Sequence, residues 1–391
     1  IVSIYDTSGD DLVTGSPEAM ELVGSGVRLR AEGFEFAHAY ATAGGNDTAQ
    51  FVDGLSGDTV TATPTYTILD GADYYLRAKG FENVVVDTST GGVDVGRLVG
   101  SNGNDQLTIT AKLAELSGAG YALAVRDLDT ISVNAAGGSA DKATITGTAG
   151  DEVMLITPTL ANVTGTTYAQ SLRGFEYVDA HSGGGEDVIH LYDSPGNDVF
   201  TAKPGYIVLA GNGFRLTGEG FRWAHGYATR GGADVAHMYD SPGNDTFQSY
   251  AQMGKLYGDG FYLRAKAFDY VHAYSVNGGI DRAYLWGTAG DETIYANDQY
   301  VRMDGDYGVQ RAKWFEEVVV RGEGGFDTAY VTGGTVLDGV VTRSSSVLPA
   351  DVAELAWFVS VDRIRTINEG GSGESRTIEA ADQIFSSYWQ E

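Results

Sequence analysis

The stretch "HLYDSPGNDVF" at 190–200 returns 47 residues later as "HMYDSPGNDTF" at 237–247. It belongs to a unit that recurs seven times. The last Asp of each Gly-Asn-Asp-like turn falls at Asp11, Asp58, Asp105, Asp151, Asp198, Asp245 and Asp291, in steps of 47 or 46. The Asp after each Gly-Gly pair (Asp47, Asp94, Asp141, Asp187, Asp234, Asp281, Asp327) keeps the same steps. So does an apolar marker at Phe34, Phe81, Leu128, Phe175, Phe221, Phe268 and Phe315. Three markers in phase over seven copies mean one supersecondary unit repeated, each copy burying its apolar face against its neighbours.

Within a unit, short runs alternate apolar and polar residues, as in "YYLRAKGF" (74–81) and "NVVVDT" (83–88), and Gly, Asn and Asp separate the runs. This is the strand-and-turn pattern. Two all-β architectures suit it: a parallel β-helix or solenoid, and a seven-bladed β-propeller. The steps from Phe34 to Asp58 and from Asp58 to Phe81 are 24 and 23 residues. Each half-unit then reads as one coil of three short strands, and seven units as fourteen coils. The solenoid is the favoured reading, over 1–334, with like residues of successive units stacked in columns. Residues 335–391 read as a capping or assembly segment. There "VAELAWFVSVDRIRTI" extends or caps the repeat, and "SRTIEAADQIFSSYWQ" reads as a short amphipathic helix.

Composition narrows the partners. A net charge of −28 argues against nucleic acid and against anionic membrane surfaces. No cysteine is present, so there are neither disulfides nor thiolate metal sites, and no apolar run reaches membrane-spanning length. The chain opens on a strand-like "IVSIYD", which reads as a mature or excised fragment of a larger precursor. Fifty-five glycines match frequent tight turns.

The Gly-Asp turns resemble the glycine-aspartate repeats of large bacterial extracellular and surface proteins and, distantly, Ca²⁺-binding nonapeptide repeats. The resemblance covers most of 1–334 and implies a β-solenoid at the cell surface or outside it. It departs from the nonapeptide array in that the Asp spacing alternates 11 and 36 instead of recurring every nine residues.

Four sets of residues carry candidate chemistry. Asp11, Asp58, Asp198, Asp245 and Asp291 are candidate Ca²⁺ ligands, set against a purely structural role in Asx corners. Arg30, Arg77, Arg264 and Arg311, with Lys79, Arg126, Arg173, Lys266 and Lys313, form a partial basic ladder. Ion pairing with Glu32, Glu219 and the Asp columns is the favoured reading, and a groove for anionic polysaccharide the alternative. The six histidines, His38, His181, His190, His225, His237 and His272, occupy related slots beside tyrosines. His181, His225, Tyr227 and Arg173 are the candidate catalytic set of a polysaccharide lyase, which needs a base, an acid and a cation to neutralise a uronate. Pairing of His225 with His272 would offer a transition-metal site.

The residues weigh most towards an extracellular structural or adhesive repeat protein that self-associates head to tail into filaments or a surface matrix. An enzyme acting on anionic polysaccharide is the alternative. Calcium is the one cofactor expected, and partners are further copies of the chain and anionic polysaccharide, without nucleic acid or membrane insertion.

Overall fold

The computed structural model describes residues 1–332 and, in the tail, 334–337, 340–343, 354–359, 361, 363–367 and 377–379. These residues form strands and turns, with no helix among them. The fold is a β-solenoid, as expected. Parallel strands stack in continuous ladders across two sheets, which is not the separate blades of a propeller. The chain divides into two compact units, 1–189 with 213–220, and 190–212 with 221–391.

The path of one repeat shows why 47 residues suffice. Phe36–Tyr40 lies in one sheet and Thr48–Val52 in the other. The chain then returns and lays down Thr59–Ala62, Tyr66–Asp70 and Tyr75–Lys79 as an antiparallel meander in the first sheet. A repeat is therefore five strands in three visits to the sheets, or one and a half turns. This corrects the expectation of two three-stranded coils per unit, and the count of fourteen coils falls with it. The next repeat starts from the opposite sheet: Asn83–Asp87, then Val95–Val99 across the interior, then a meander of Gln106–Ile109, Leu113–Gly118 and Tyr121–Arg126.

The columns are also not those expected. Parallel neighbours lie 35 to 39 residues apart, as in Val2↔Ala37, Leu12↔Thr48, Tyr177↔Arg215 and Asn83↔Ala122. Different positions of the unit thus stack on one another. Like positions return to the same sheet only after two units, as Leu12 and Gln106 do.

Each unit buries the space between its two sheets. Inward residues alternate with outward ones: Leu76 and Ala78 are buried, while Tyr75, Arg77 and Lys79 point out. Phe200, Phe247, Phe268 and Phe315 are among the largest fully buried side chains of the second unit. Phe200 is admitted by Gly226, where a Cβ would lie 2.8 Å from the ring. The second glycine of the Gly-Gly pair has a different reason. Gly232 sits at φ 120°, and a Cβ there would lie 2.1 Å from the carbonyl oxygen of Gly196 on the neighbouring rung.

Val27–Glu32 pairs antiparallel with Ala19–Gly24. Leu29 is 43% exposed and Phe34 42%, although their counterparts Leu76 and Phe81 are 1% and 4% exposed. In the tail, Glu354–Val359 and Arg363–Ile367 extend the ladders from Glu317–Arg321 and Thr328–Thr332, as expected of "VAELAWFVSVDRIRTI". Thr377–Glu379 is a strand paired with 363–365, not the start of a helix. The rest of the expected helix, 380–391, lies outside the described residues.

Candidate functional site

The Gly-Asn-Asp turns resolve into a ladder of carboxylates and backbone amides. Each corner acid folds back to accept the N–H four residues earlier: Asp11 from Thr7 (2.7 Å), Asp58 from Gly54 (3.1 Å), Asp198 from Ser194 (2.8 Å) and Asp245 from Ser241 (2.6 Å). Its own N–H donates to the Gly-Gly Asp of the next rung, Asp198 to Asp234 at 2.8 Å and Asp245 to Asp281 at 2.7 Å. That residue's N–H donates onward to the acid following the apolar marker, Asp234 to Asp269 (2.8 Å) and Asp281 to Glu316 (2.9 Å). These acids are buried because the corner amides of a solenoid need acceptors that no ladder strand provides.

Asp291 is not part of this set. Glu292 takes the corner, accepting from the Thr288 N–H (3.0 Å) and donating to Asp327 (2.8 Å), whereas Asp291 accepts from Phe326 N–H at 2.7 Å. Glu152 likewise replaces Asp151, accepting from Thr148 N–H at 2.9 Å. The sequence signal for this register is the Ser or Thr four residues before the acid, present at every corner but that of Asp58, where Gly54 stands.

Two triplets, Asp6/Asp11/Asp47 and Asp53/Asp58/Asp94, bring carboxylate oxygens within 4.8 Å of one another. Every member already accepts a backbone N–H: Asp6 from Thr42 and Ala43, and Asp53 from Thr90. Burial, with Asp53, Asp58 and Asp129 nearby, pushes Asp94 up to about 6. Asp11 and Asp58 thus do the structural work of Asx-type corners.

On the outer faces, three clusters of one design stand out. In the second unit, parallel strands set His225 beside Arg264 and Tyr227 beside Lys266. His190 and Tyr192 complete the group: His190 Nδ1 is 3.3 Å from both His225 Nδ1 and Tyr227 Oη, and the Tyr192 and Tyr227 rings stack at 4.6 Å. On the other sheet of the same unit, His237, His272 and Arg311 align, with Tyr239, Tyr274 and Lys313 alongside. There Arg311 donates to Tyr274 Oη at 2.8 Å, and the two tyrosine rings stack at 4.9 Å. In the first unit, His38 pairs with Arg77 and Tyr40 with Lys79, and Tyr5 stacks on Tyr40 at 5.0 Å.

The hydrogen-bond network assigns the protons. Arg264 can only donate, and it reaches both His225 Nδ1 (3.3 Å) and Tyr227 Oη. His225 Nδ1 is therefore an acceptor with its proton on Nε2 and its one lone pair taken by Arg264, while the roles of His190 Nδ1 and Tyr227 Oη follow the tautomer of His190. Tyr227 accepts from Arg264, so its own hydroxyl hydrogen is left to donate. The buried Nε2 of His225 has no hydrogen-bond partner, and the ring meets Tyr262 nearly edge-on at 5.8 Å and 74°, the arrangement of an N–H facing a ring. Burial, then Arg264 and His190, press His225 down to about 3, and burial with Arg311 and His237 brings His272 to about 4. Both imidazoles are neutral at physiological pH.

The cations of these clusters have no carboxylate. Arg77, Arg264, Arg311, Lys79, Lys266 and Lys313 make no ion pair among the described residues, whereas Arg28, Arg30, Lys112, Lys142, Arg282 and Arg302 do. The three arginines lie instead over tyrosine rings: Arg264 over Tyr227 at 5.2 Å, Arg311 over Tyr274 at 5.6 Å and Arg77 over Tyr66 at 5.8 Å. The expected ion pairing holds for Arg30, through Glu21 and Glu32, and fails for Arg77, Arg264 and Arg311.

Of the candidate catalytic set, the structure joins His225 to Tyr227, and His190 and Arg264 lie beside them. His181 lies in the first unit, 3.4 Å from Glu219. Its neighbour Asp179 is paired with Lys142 (3.1 Å) and Thr217 (2.6 Å), a charge-neutral version of the same face. Arg173 is on the other sheet of that unit, in register with Asn134 and Leu160. His225 and His272 point from opposite sheets, so the real histidine pairs are His190–His225 and His237–His272. No protein-family profile and no curated protein matches the chain.

Proposed function

We propose that this solenoid is an extracellular structural and adhesive protein whose outer faces hold anionic polysaccharide. The observation that carries the reading is the set of unpaired arginines and lysines: in a chain with 53 acids and 25 Lys and Arg, three clusters keep their cations free of carboxylates. Stacked tyrosines hold these cations in place and add hydroxyl donors suited to sugar hydroxyls. The high acidic charge suits a protein kept soluble by its own repulsion.

The lyase reading draws on the same groups, with Arg264 as neutraliser and Tyr227 as proton carrier. Against it stands the recurrence of the cluster at equivalent positions of three repeats, since a catalytic centre is built once. Incubation with polyuronate and sulfated glycans separates the two. Binding without new unsaturated ends supports adhesion. Accumulation of the unsaturated product, abolished by Tyr227→Phe, would establish the enzyme. Self-association has its own support in the exposed apolar side chains Leu29 and Phe34.

A further inference from the structure

The second unit carries two of these clusters, and they face opposite ways. His225, Arg264 and Lys266 lie on strands of one sheet, and His272, Arg311 and Lys313 on strands of the sheet packed against it. The interior between them is closed by apolar side chains. Phe200 meets Phe268 at 5.6 Å, and Gly254 brings its strand against Val271 and Met238 of the facing sheet. No ligand chain can therefore serve both clusters through the core. The separation follows from the fold: one repeat makes one and a half turns, so equivalent residues 47 apart, such as His225 and His272, emerge on opposite faces.

We propose that this unit is a cross-linker, each face holding a separate anionic polysaccharide strand through its Arg–Lys–Tyr cluster. The inference rests on the polysaccharide reading and goes beyond it, since adhesion needs one face and cross-linking needs both. Each face offers the same chemistry to a carboxylate or sulfate: a guanidinium and an ammonium two residues apart on one strand and so on one side of the sheet, with a tyrosine hydroxyl beside them. The aromatic stacking fixes the arginines before any ligand arrives, which lowers the ordering cost of binding.

The test uses the whole chain with Arg77→Gln and Lys79→Gln, which silence the first unit's cluster. Calorimetry with a short oligouronate, and in parallel a short sulfated oligosaccharide, counts sites. Light scattering with the long polymers reports cross-linking. Two equivalent sites are expected, with scattering that peaks at an intermediate protein-to-polymer ratio. Adding Arg264→Gln, or separately Arg311→Gln, should leave one site and abolish the peak, with long-polymer affinity reduced by roughly tenfold or more through lost bivalency. Lys266→Glu and Lys313→Glu, at the rims, repeat the test should an arginine variant melt early. A single site in the parent, or an undiminished peak in either one-faced variant, overturns cross-linking and leaves adhesion standing. No binding to either oligosaccharide, or tighter binding to single-stranded DNA, overturns both readings. Preference for one oligosaccharide identifies the anion.

Discussion

Asp281→Asn should make the protein more stable at neutral pH, although it removes a buried, doubly hydrogen-bonded residue. Asp281 is fully buried, accepting Asp245 N–H through Oδ1 (2.7 Å) and the Ser275 hydroxyl through Oδ2 (2.6 Å). Burial, with Asp245 and Glu316 close by, pushes its carboxyl up to about 6 from an ordinary 3.8. A folded value above the unfolded one means that the native state holds the proton more tightly. The ionised form therefore weakens the fold as pH rises through about 6, and the penalty vanishes below about 4. At pH 7 the penalty comes to about 3 kcal/mol, and at pH 5 to about 1.5 kcal/mol. Asparagine keeps the Oδ1 acceptor and turns an N–H towards Ser275 Oγ, at a cost of about 1 kcal/mol for the weaker neutral hydrogen bonds. The net gain at pH 7 is about 2 kcal/mol. The comparison must be with wild type at each pH, because His225 and His272, held below their ordinary range, lose stability on acidification and oppose the trend. Thermal melts of both proteins between pH 4 and 7 provide the assay. A variant less stable than wild type at pH 7, or a difference that does not shrink on acidification, would refute the view that the corner acids are held against their own repulsion.

Three further outcomes follow. Gly226→Ala forces a methyl to within 2.8 Å of the Phe200 ring and should cost about 1–3 kcal/mol in urea unfolding, unlike Gly213→Ala, where a Cβ meets nothing within 4 Å and only the positive φ of 79° resists. Arg264→Gln with Arg311→Gln should weaken polyuronate binding and flatten its salt dependence, measured by calorimetry from 20 mM to 300 mM salt, about a threefold change in Debye length or more; an unchanged slope places the contact elsewhere. Leu29→Lys, at an exposed apolar residue, should abolish any concentration-dependent rise in sedimentation coefficient, and an unaltered rise would rule that surface out of association.

The repeat itself was plain in the chain, because strand alternation and turn residues mark their own positions. "YYLRAKGF" shows which residues face in, and the structure buries Leu76 and Ala78 accordingly. What periodicity does not encode is where a strand goes next. Whether the run after Ala62 crosses to the other sheet or turns back beside its predecessor depends on short turns such as Thr63–Thr65, where Thr63 Oγ1 accepts amide hydrogens from Thr65 and Tyr66 (3.3 and 3.0 Å). Missing that turn produced the two-coil reading, and with it the wrong neighbours for every outward residue. The histidine and arginine slots were visible as recurring positions. Their meeting was not, since Arg264 reaches His225 only across a 39-residue register and His190 across one of 35.

The odd number of sheet visits per repeat has a consequence for how such a protein acquires binding faces. With an even number, every copy would place its outward residues on one side, and seven copies of a basic slot would build one long groove. Here the slots of adjacent copies are divided between two faces, and copies on one face recur only every second unit, as Val199 and Thr293 do in the second unit. Between them lie the outward residues of the meanders and crossing strands. A cluster must then be assembled within a few rungs from unlike positions: a histidine with a tyrosine two residues on from one, and an arginine with a lysine two residues on from the next. The His38, His225 and His272 groups all follow this recipe, with the arginine 39 residues after the histidine. The His181 region has the same backbone but carries Asp179, Thr217 and Glu219 in the equivalent slots, and there Asp179 pairs with Lys142 while Glu219 lies 3.4 Å from His181. Binding capacity in this fold is thus set copy by copy through two or three outward residues, while the buried acids of the corners keep the register that brings those residues together.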